Sequence, residues 1–457
     1  MRETLRILRY NTGTDKKAFV EFKEHFDAVI FNAAIVAYSG SSVADLVSMH
    51  KRKYIIDPQT HIFQQDISAI STENKKTHTI QIKKSVEKYL SQLPPDLSNA
   101  LMQKKHQLSP NEVVPYVDAL VTDVYDFQTK YVDGYIKGKE YDKYLEFAKL
   151  GPEPRMLIAP YFMLKDSYDD VAINDWLDIN STCMRKTIQK NLLSNNPFPI
   201  AAQIVLDKAV MLSNNFVNKI KAAYSDLEFE YVFIWVDDFD SFDARIEHVK
   251  AFAQLVTALN DIGKKPMMAY GGYESIILCN SESPSRLYGV AQSVGYGEYR
   301  PITPIGGGLP VNKYYFLPTH RRLRFDDAAK ILSTQGYFSN DKSDAAHAED
   351  YYVNICDCKQ CHEIIKKDIN NFDKYNDSIS FDIRKKNGVI SRNRPTTDAS
   401  LIAALHFLYC KVDEWENVET KDFNSLISEL KENCKTYNPL LYREIEEWCK
   451  VYECKAD

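Results

Sequence analysis

The chain has 457 residues and little glycine (16 residues), and it holds no G-x-G-x-x-G loop. A dinucleotide crevice, which needs close backbone approach to a pyrophosphate, is therefore not expected. No stretch reaches the roughly 18 apolar residues of a membrane-crossing helix. The N-terminus, MRETLRILRY, is charged from residue 2 and lacks the apolar core of a secretory signal, so the expected compartment is the cytoplasm. Positive charge is not in excess: 57 basic residues face 63 acidic ones, a net charge of −6. That excludes a surface coated for nucleic acid and leaves only local patches. Two are present: His320-Arg321-Arg322 with Arg324, and Arg384-Lys385-Lys386 followed by Arg392 and Arg394. Each reads as a solvated loop or as a track for phosphates. No repeat of fixed period and no low-complexity tract occurs, which excludes solenoids and fibres.

What is present is ordinary for a folded protein, 44% hydrophobic and 26% charged. The length suits two or three domains, or one large α/β barrel with an appendage. Eight short apolar runs recur: 4–10, 27–36, 52–58, 155–164, 198–206, 230–238, 265–272 and 286–297. Segments of helical period separate several of them, such as 216–227 and 244–261. Near-continuous apolar strands alternating with helices indicate parallel strands covered on both sides. Eight units in about 300 residues predict a closed (β/α)8 barrel, a TIM barrel.

Residues 66–154 are polar and helix-rich, and read as a long insertion after the third strand. The barrel unit is placed at 1–330 with this insertion, and a C-terminal unit at 331–457. Within the latter, 336–351 reads as a loop, and two amphipathic helices follow residue 421.

Nine cysteines are unevenly spread, and a reducing compartment argues against disulfides. Cys356, Cys358 and Cys361 form C-x-C-x2-C, three corners of a tetrahedral zinc site. His406 is the expected fourth ligand, on a helix capped by Thr396, Thr397 or Asp398. Cys410, one turn on, is its competitor. Four protein ligands leave no open position, so Zn2+ here would be structural.

In parallel barrels the chemistry sits at the C-terminal strand ends. Asp57 ends the third run, Asp237 and Asp238 end the sixth, and Glu298 follows the eighth. An acid there is costly to bury without a purpose. Because Asp237 and Asp238 are adjacent, only one can face the barrel mouth. Gln203, inside the apolar fifth run, needs a hydrogen-bonding partner, and a purine edge would serve. Gly271-Gly272 permits a sharp turn or the close approach of a flat ligand. Tyr161, Phe162 and Trp235 are placed to stack on a base or to fill the core.

A barrel followed by C-x-C-x2-C and a helical histidine resembles the tRNA-guanine transglycosylase family, zinc-containing (β/α)8 enzymes that exchange guanine for a 7-deazaguanine. ICDCKQC and LIAALHFLY match its zinc segments. DAVIFNAAIVAYSG resembles its second-strand segment and implies a substrate-binding role for Asn32. RKYIIDPQTHIFQ and FPIAAQ imply that Asp57 is the acid/base and Gln203 the base-recognising residue. Pro58-Gln59-Thr60 replaces the family's glycines, the fourth strand lacks its aspartate, and WVDDFDSF stands in the sixth. The eighth strand lacks the nucleophilic aspartate, and His406 follows Cys361 by 45 residues. These departures resemble the divergent DpdA-type branch, which inserts 7-cyano-7-deazaguanine into DNA. Attack on the sugar would then fall to Asp237 or Asp238. The expected partners are DNA, a 7-deazaguanine base and other proteins of a DNA-modification cluster. A tRNA substrate, or an inactive nucleic-acid-binding subunit, is the alternative.

Overall fold

The computed structural model describes residues 3–10, 13–50, 53–74, 77–103, 107–136, 154–213, 215–294, 298–302, 313–385 and 388–453. Among them no helix is long and apolar enough to cross a membrane.

Eight parallel strands form the centre: β1 (Leu5–Tyr10), β2 (Ala28–Asn32), β3 (Lys53–Asp57), β4 (Leu157–Ile158), β5 (Ile200–Leu206), β6 (Tyr231–Val236), β7 (Lys265–Met268) and β8 (Gly289–Ser293). They pair in the order β3-β2-β1-β8-β7-β6-β5-β4. The two outer strands meet through a bridge between Tyr54 and Pro154 and the bond from Arg155 N to Tyr54 O (2.7 Å). The result is a nearly closed (β/α)8 barrel.

Alternation sets its two faces. Leu5, Ile7, Ala28, Ile30, Ile55, Ala201, Val205, Phe233, Met267 and Ala291 fill the interior. Phe31, Ile56, Ala202, Ile204, Ile234 and Val290 point outward, where helices Ala33–His50, Asp170–Leu192 and Ile246–Asp261 cover them.

The fourth strand departs from the expected continuous run. Pro160 has no N–H to give a ladder, and the run splits into Leu157–Ile158 and a second piece, Met163–Leu164, both pairing with β5. Buried backbone groups need partners, and here side chains supply them. Gln128 Oε1 accepts from Ile158 N (2.9 Å) while its Nε2 donates to Ile158 O (2.8 Å). Thr60 brackets Tyr161, Asn180 brackets Phe162 and Gln64 brackets Met163 in the same way. Gln128 comes from helix Val117–Ile136 of the insertion, which packs on Ala33–His50 with Tyr131 OH donating to Ala37 O (3.1 Å). The insertion thus completes the barrel wall.

Beyond the barrel, β9 (Lys313–Phe316) and β10 (Arg321–Arg324) form a hairpin. Tyr314, Tyr315 and Phe316 join a second core with Cys356, Cys361, Phe372 and Phe407. The stretch read as a loop, 336–351, is corrected in its second half. Helix Asp344–Asn354 begins there, capped by Ser343, which accepts from Ala346 N (3.2 Å). His347, Ala348, Tyr351 and Tyr352 make its buried stripe, a short one that the polar composition hides. An antiparallel ribbon that the sequence reading did not anticipate follows, β11 (Ser378–Lys385) with β12 (Gly388–Pro395). Helix Thr397–Thr420 then returns to the barrel, Trp415 Nε1 donating to Gln292 Oε1 (3.2 Å). The expected amphipathic helices are Phe423–Tyr437 and Pro439–Val451.

The lacing of β4 is testable. Gln128→Leu strands the N–H and C=O of buried Ile158, and should destabilise the fold by about 1–3 kcal/mol. Urea unfolding measures it; an unchanged midpoint would show that β4 does not depend on the amide.

Candidate functional site

At the C-terminal mouth of the barrel lies a fully buried ion pair. Arg9 ends β1 in phase with Leu5 and Ile7, so its side chain points inward. Its Nη1 lies 3.2 Å from Asp57 Oδ2 and 3.1 Å from Asn32 Oδ1, and its Nε donates to Ala269 O (3.2 Å). The guanidinium also sits 4.1 Å over the Tyr270 ring. Both Arg9 and Asp57 are 0% exposed. The other Asp57 oxygen accepts from Tyr161 OH (2.6 Å) and Gln59 N (3.2 Å). Burial, reinforced by the Asp57 charge, pushes the Tyr161 phenol well above its usual value, so it stays a donor. Sequence reasoning missed Arg9, although its phase in LRILRY was the signal.

Around this pair the mouth is aromatic. His61 stacks on Tyr161 (5.5 Å) and meets Trp235 edge-on (5.3 Å), and Trp235 packs on Tyr270 (4.6 Å). Burial pulls His61 down to about 4, against the Asp57 charge, so the imidazole is neutral near neutral pH. Its Nδ1 has no hydrogen-bond partner among the described residues. Gln203 lies between Ala201 and Val205 on the interior face of β5, level with Phe233 and one layer beneath Trp235. It is 1% exposed, and among the described residues neither amide atom has a partner. Two unpartnered polar groups inside one mouth are costly unless a ligand meets them.

The remaining predicted residues divide. Phe162 faces outward and stacks on Trp176 (4.9 Å). Asp237 is half-buried and accepts from Ile302 N (2.6 Å). Asp238 is exposed, with a left-handed backbone (φ 44°). Ile302 reaches the interior core, and Trp235 Nε1 donates to Arg300 O (3.0 Å), so 298–302 crosses the mouth. What approaches Gly272 closely is protein: a Cβ there would lie 2.1 Å from Tyr299 Oη. At Gly271 it would meet Ser275 Oγ at 2.6 Å. Tyr299 OH in turn donates to the buried Glu274 (2.6 Å). Residues 271–274 are therefore a packed corner.

Glu298 and, of the first basic patch, His320 to Arg322 are drawn into the protein, while Arg324 is exposed. Lys411 Nζ, 0% exposed, pairs with Glu298 (3.1 Å) and Glu414 (2.8 Å). His320 Nδ1 lies 2.7 Å from Glu414, with its ring stacked on Tyr273. Arg321 pairs with Asp240 and Asp243, and Arg322 donates to the carbonyls of Ser293 and Val294 (2.6 Å each).

The thiol cluster assembles as expected. The ligand atoms of Cys356, Cys358, Cys361 and His406 lie within 4.8 Å of one another, a group that can hold a metal ion. Thr396 caps the helix bearing His406, accepting from Ala399 N (3.0 Å). His406 Nε2 contacts Tyr315 O (2.8 Å). A carbonyl only accepts, so Nε2 carries the proton and Nδ1 turns its lone pair to the thiols. Nδ1 is 3.4 Å from the sulfurs of Cys358 and Cys361, and 4.0 Å from Cys356. Cys410, 3.8 Å from Cys356 and from Nδ1, stands outside the four-atom group. Hydrogen bonds from the Cys356, Cys361 and Cys410 thiols hold the Cys358 thiol well below its ordinary value. Three sulfurs and one imidazole nitrogen fit the donor set of a structural zinc.

Compared with known proteins, the sequence matches no family model and no curated protein.

Two outcomes follow from this geometry. Purified protein should carry one metal ion per chain by mass spectrometry, lost in Cys358→Ser and in His406→Ala; full metal in a variant lacking both Cys356 and Cys358 would refute the site. The second concerns the buried charges. Lys411→Met takes the cation from buried Glu298 and leaves Glu414 with His320 and Tyr315 alone, and should cost about 3–5 kcal/mol. Burial raises the Glu414 pKa, but Lys411 and His320 outweigh it and the net shift is downward from 4.5. Stability from Glu414 is then present above that ordinary value and lost as pH falls through the lowered folded value. Urea midpoints of wild type and Glu414→Gln should therefore differ by a constant amount above about pH 5 and converge in more acid solution. A difference that does not vary with pH would show that Glu414 is not held as a carboxylate.

Proposed function

We propose that this protein is a base-exchanging glycosyltransferase that replaces a guanine in DNA with a 7-deazaguanine, 7-cyano-7-deazaguanine in the branch it resembles. The observation that carries this reading is the mouth itself. A buried carboxylate, Asp57, shares it with the amide of Gln203 and the Nδ1 of the neutral His61, both without a partner among the described residues. A purine edge offers complementary donors and acceptors to such groups, and the rings of Tyr161, Trp235 and Tyr270 match its flat faces.

In the exchange, a carboxylate attacks C1′ of the sugar. The bond from C1′ to guanine breaks, and its electron pair leaves with the base, which takes a proton from a second acid. The incoming base then gives up a proton to that same group and displaces the carboxylate, as in retaining glycoside hydrolysis. Asp57 takes the proton-transfer role here, with Tyr161 and Arg9 orienting it. Asp237 is the nucleophile, since it follows β6 in the phase of Trp235, whereas Asp238 points to solvent. For a base to enter, 298–302 must lift, which also frees Asp237 from Ile302 N. The target nucleotide has to leave its stack to reach so deep a site. The metal, read as zinc, is structural. The cytoplasm and the company of DNA-modification proteins suit this activity.

One observation favours a second reading, an inactive nucleic-acid-binding subunit: both carboxylates are engaged by protein, Asp57 by Arg9 and Tyr161, Asp237 by Ile302 N. Exchange of labelled guanine, run on duplex DNA and on tRNA, decides among DNA enzyme, tRNA enzyme and binding subunit. We expect exchange on DNA, abolished by Asp57→Asn and Asp237→Asn. Only the latter should also remove a covalent protein–DNA adduct trapped by denaturation. Gln203→Leu should fold as stably as wild type or better, because it removes an unpartnered amide, yet lose binding of the free base. An adduct that survives loss of Asp237 would overturn the nucleophile. No exchange on either polymer would leave the subunit reading.

A further inference from the structure

Of the second basic patch, Arg384, Lys385, Arg392 and Arg394 lie on a two-stranded ribbon, Lys386 falls outside the described residues, and the ribbon's surroundings suggest a specific use. Between 378 and 395 the sequence holds five basic residues (Arg384, Lys385, Lys386, Arg392, Arg394) against one acid, Asp382, in a chain of net charge −6. Cross-strand pairs Ile379–Arg394 and Phe381–Arg392 share one face, with the Arg394 guanidinium 5.6 Å over the Phe381 ring. The opposite face is polar, Ser380 and Ser391 joined at 2.9 Å with Asn393 beside them. Arg392, Asn393 and Arg394 are exposed, and so are Ile379 (45%) and Val389 (61%). A ribbon whose two faces both meet solvent contributes little to a core.

Its root is firm. Thr396 N donates to Asp377 O (2.9 Å) across the base. On one side Tyr375 contacts Cys361 Sγ (3.4 Å) and packs edge-on against His406 (5.5 Å). On the other, Thr396 caps the helix carrying His406. The ribbon occupies the long interval between Cys361 and His406, so the thiol centre clamps both of its ends.

We infer that this ribbon enters the major groove of duplex DNA, its arginines meeting phosphates and base edges. The inference rests on the DNA reading above and deepens it to a double-stranded B-form partner. A B-DNA major groove, about 12 Å wide, admits a two-stranded ribbon. The A-form RNA groove is too deep and narrow for side chains to read. Eight residues per strand extend roughly 25 Å, enough to follow a groove. Arg392 and Arg394, exposed on a chain of net charge −6, supply the attraction.

The test is binding of labelled 20-base-pair duplexes of DNA and of RNA, of one sequence, followed by anisotropy over a salt series. Wild type should bind the DNA at least about tenfold more tightly. Arg392→Ala/Arg394→Ala should lose about tenfold in DNA affinity at low salt and reduce the salt slope by about two. Arg392→Glu/Arg394→Glu should lose more, and unchanged metal content in both variants reports an intact root. Unaltered affinity and slope in both variants would overturn the ribbon's role while leaving the DNA reading standing, and would point to a protein partner for this face. Equal binding of the RNA duplex would overturn the groove assignment. If wild type binds no duplex DNA and exchanges no base in it, both inferences fall together.

Discussion

The Arg9 guanidinium is the group on which the barrel mouth depends. Burying it costs several kcal/mol unless charge and hydrogen bonds compensate. Compensation comes from the ends of separate strands: Asn32 of β2, Asp57 of β3 and the Ala269 carbonyl just past β7. One cation therefore draws β1, β2, β3 and β7 to a common point and sets the rotamer of Asp57. Tyr270 beneath the guanidinium and Tyr161 on the far carboxylate oxygen complete the enclosure. Any chemistry at Asp57 takes place against this background of a paired, oriented carboxylate.

The turn after Asp57 joins fold and site. Residues Thr60–Gln64 form a single 3-10 turn, entered through Gln59 in the left-handed region (φ 47°). Within it, Thr60 and Gln64 lace the broken fourth strand, while His61 reaches Tyr161 and Trp235. The residues that close the barrel wall and those that line the mouth are neighbours in sequence, so wall and site cannot vary independently. Gln128 extends the same dependence to the insertion, whose helix supplies a strand's missing partner.

Helix Thr397–Thr420 plays the corresponding part at the C-terminal side. His406 faces the thiols, Lys411 and Glu414 carry the buried charge network that reaches Glu298 beyond β8, and Trp415 bonds Gln292 of β8. The single hydrogen bond from His406 to Tyr315 selects the imidazole tautomer and ties the helix to the β9 hairpin. Thiol cluster, ribbon root and barrel end are thus parts of one packed unit, consistent with the shared core around Tyr314, Cys361 and Phe407.

The amino-acid sequence by itself determined what depends on local spacing. Apolar runs at eight places predicted the parallel strands, because alternation and run length are written in adjacent residues. C-x-C-x2-C placed three thiols on one turn, and a cap among Thr396, Thr397 and Asp398 put His406 on a helix. Asp57 and Gln203 were legible as acids and amides out of place in apolar strands. Tertiary structure decided what depends on partners far apart in the chain. Arg9 acquired its meaning only when Asp57, 48 positions on, came within 3.2 Å. Sequence let only one of Asp237 and Asp238 face the mouth without saying which; the fold half-buries Asp237 against Ile302 N and leaves Asp238 exposed. Glu298, His320 and Arg321, open in sequence, were consumed by Lys411, Glu414 and Asp240, and Arg322 by the carbonyls of Ser293 and Val294. The physical reason is the same in each case: pattern fixes which way a side chain points, whereas a buried charge takes its role from whatever group the fold brings to meet it.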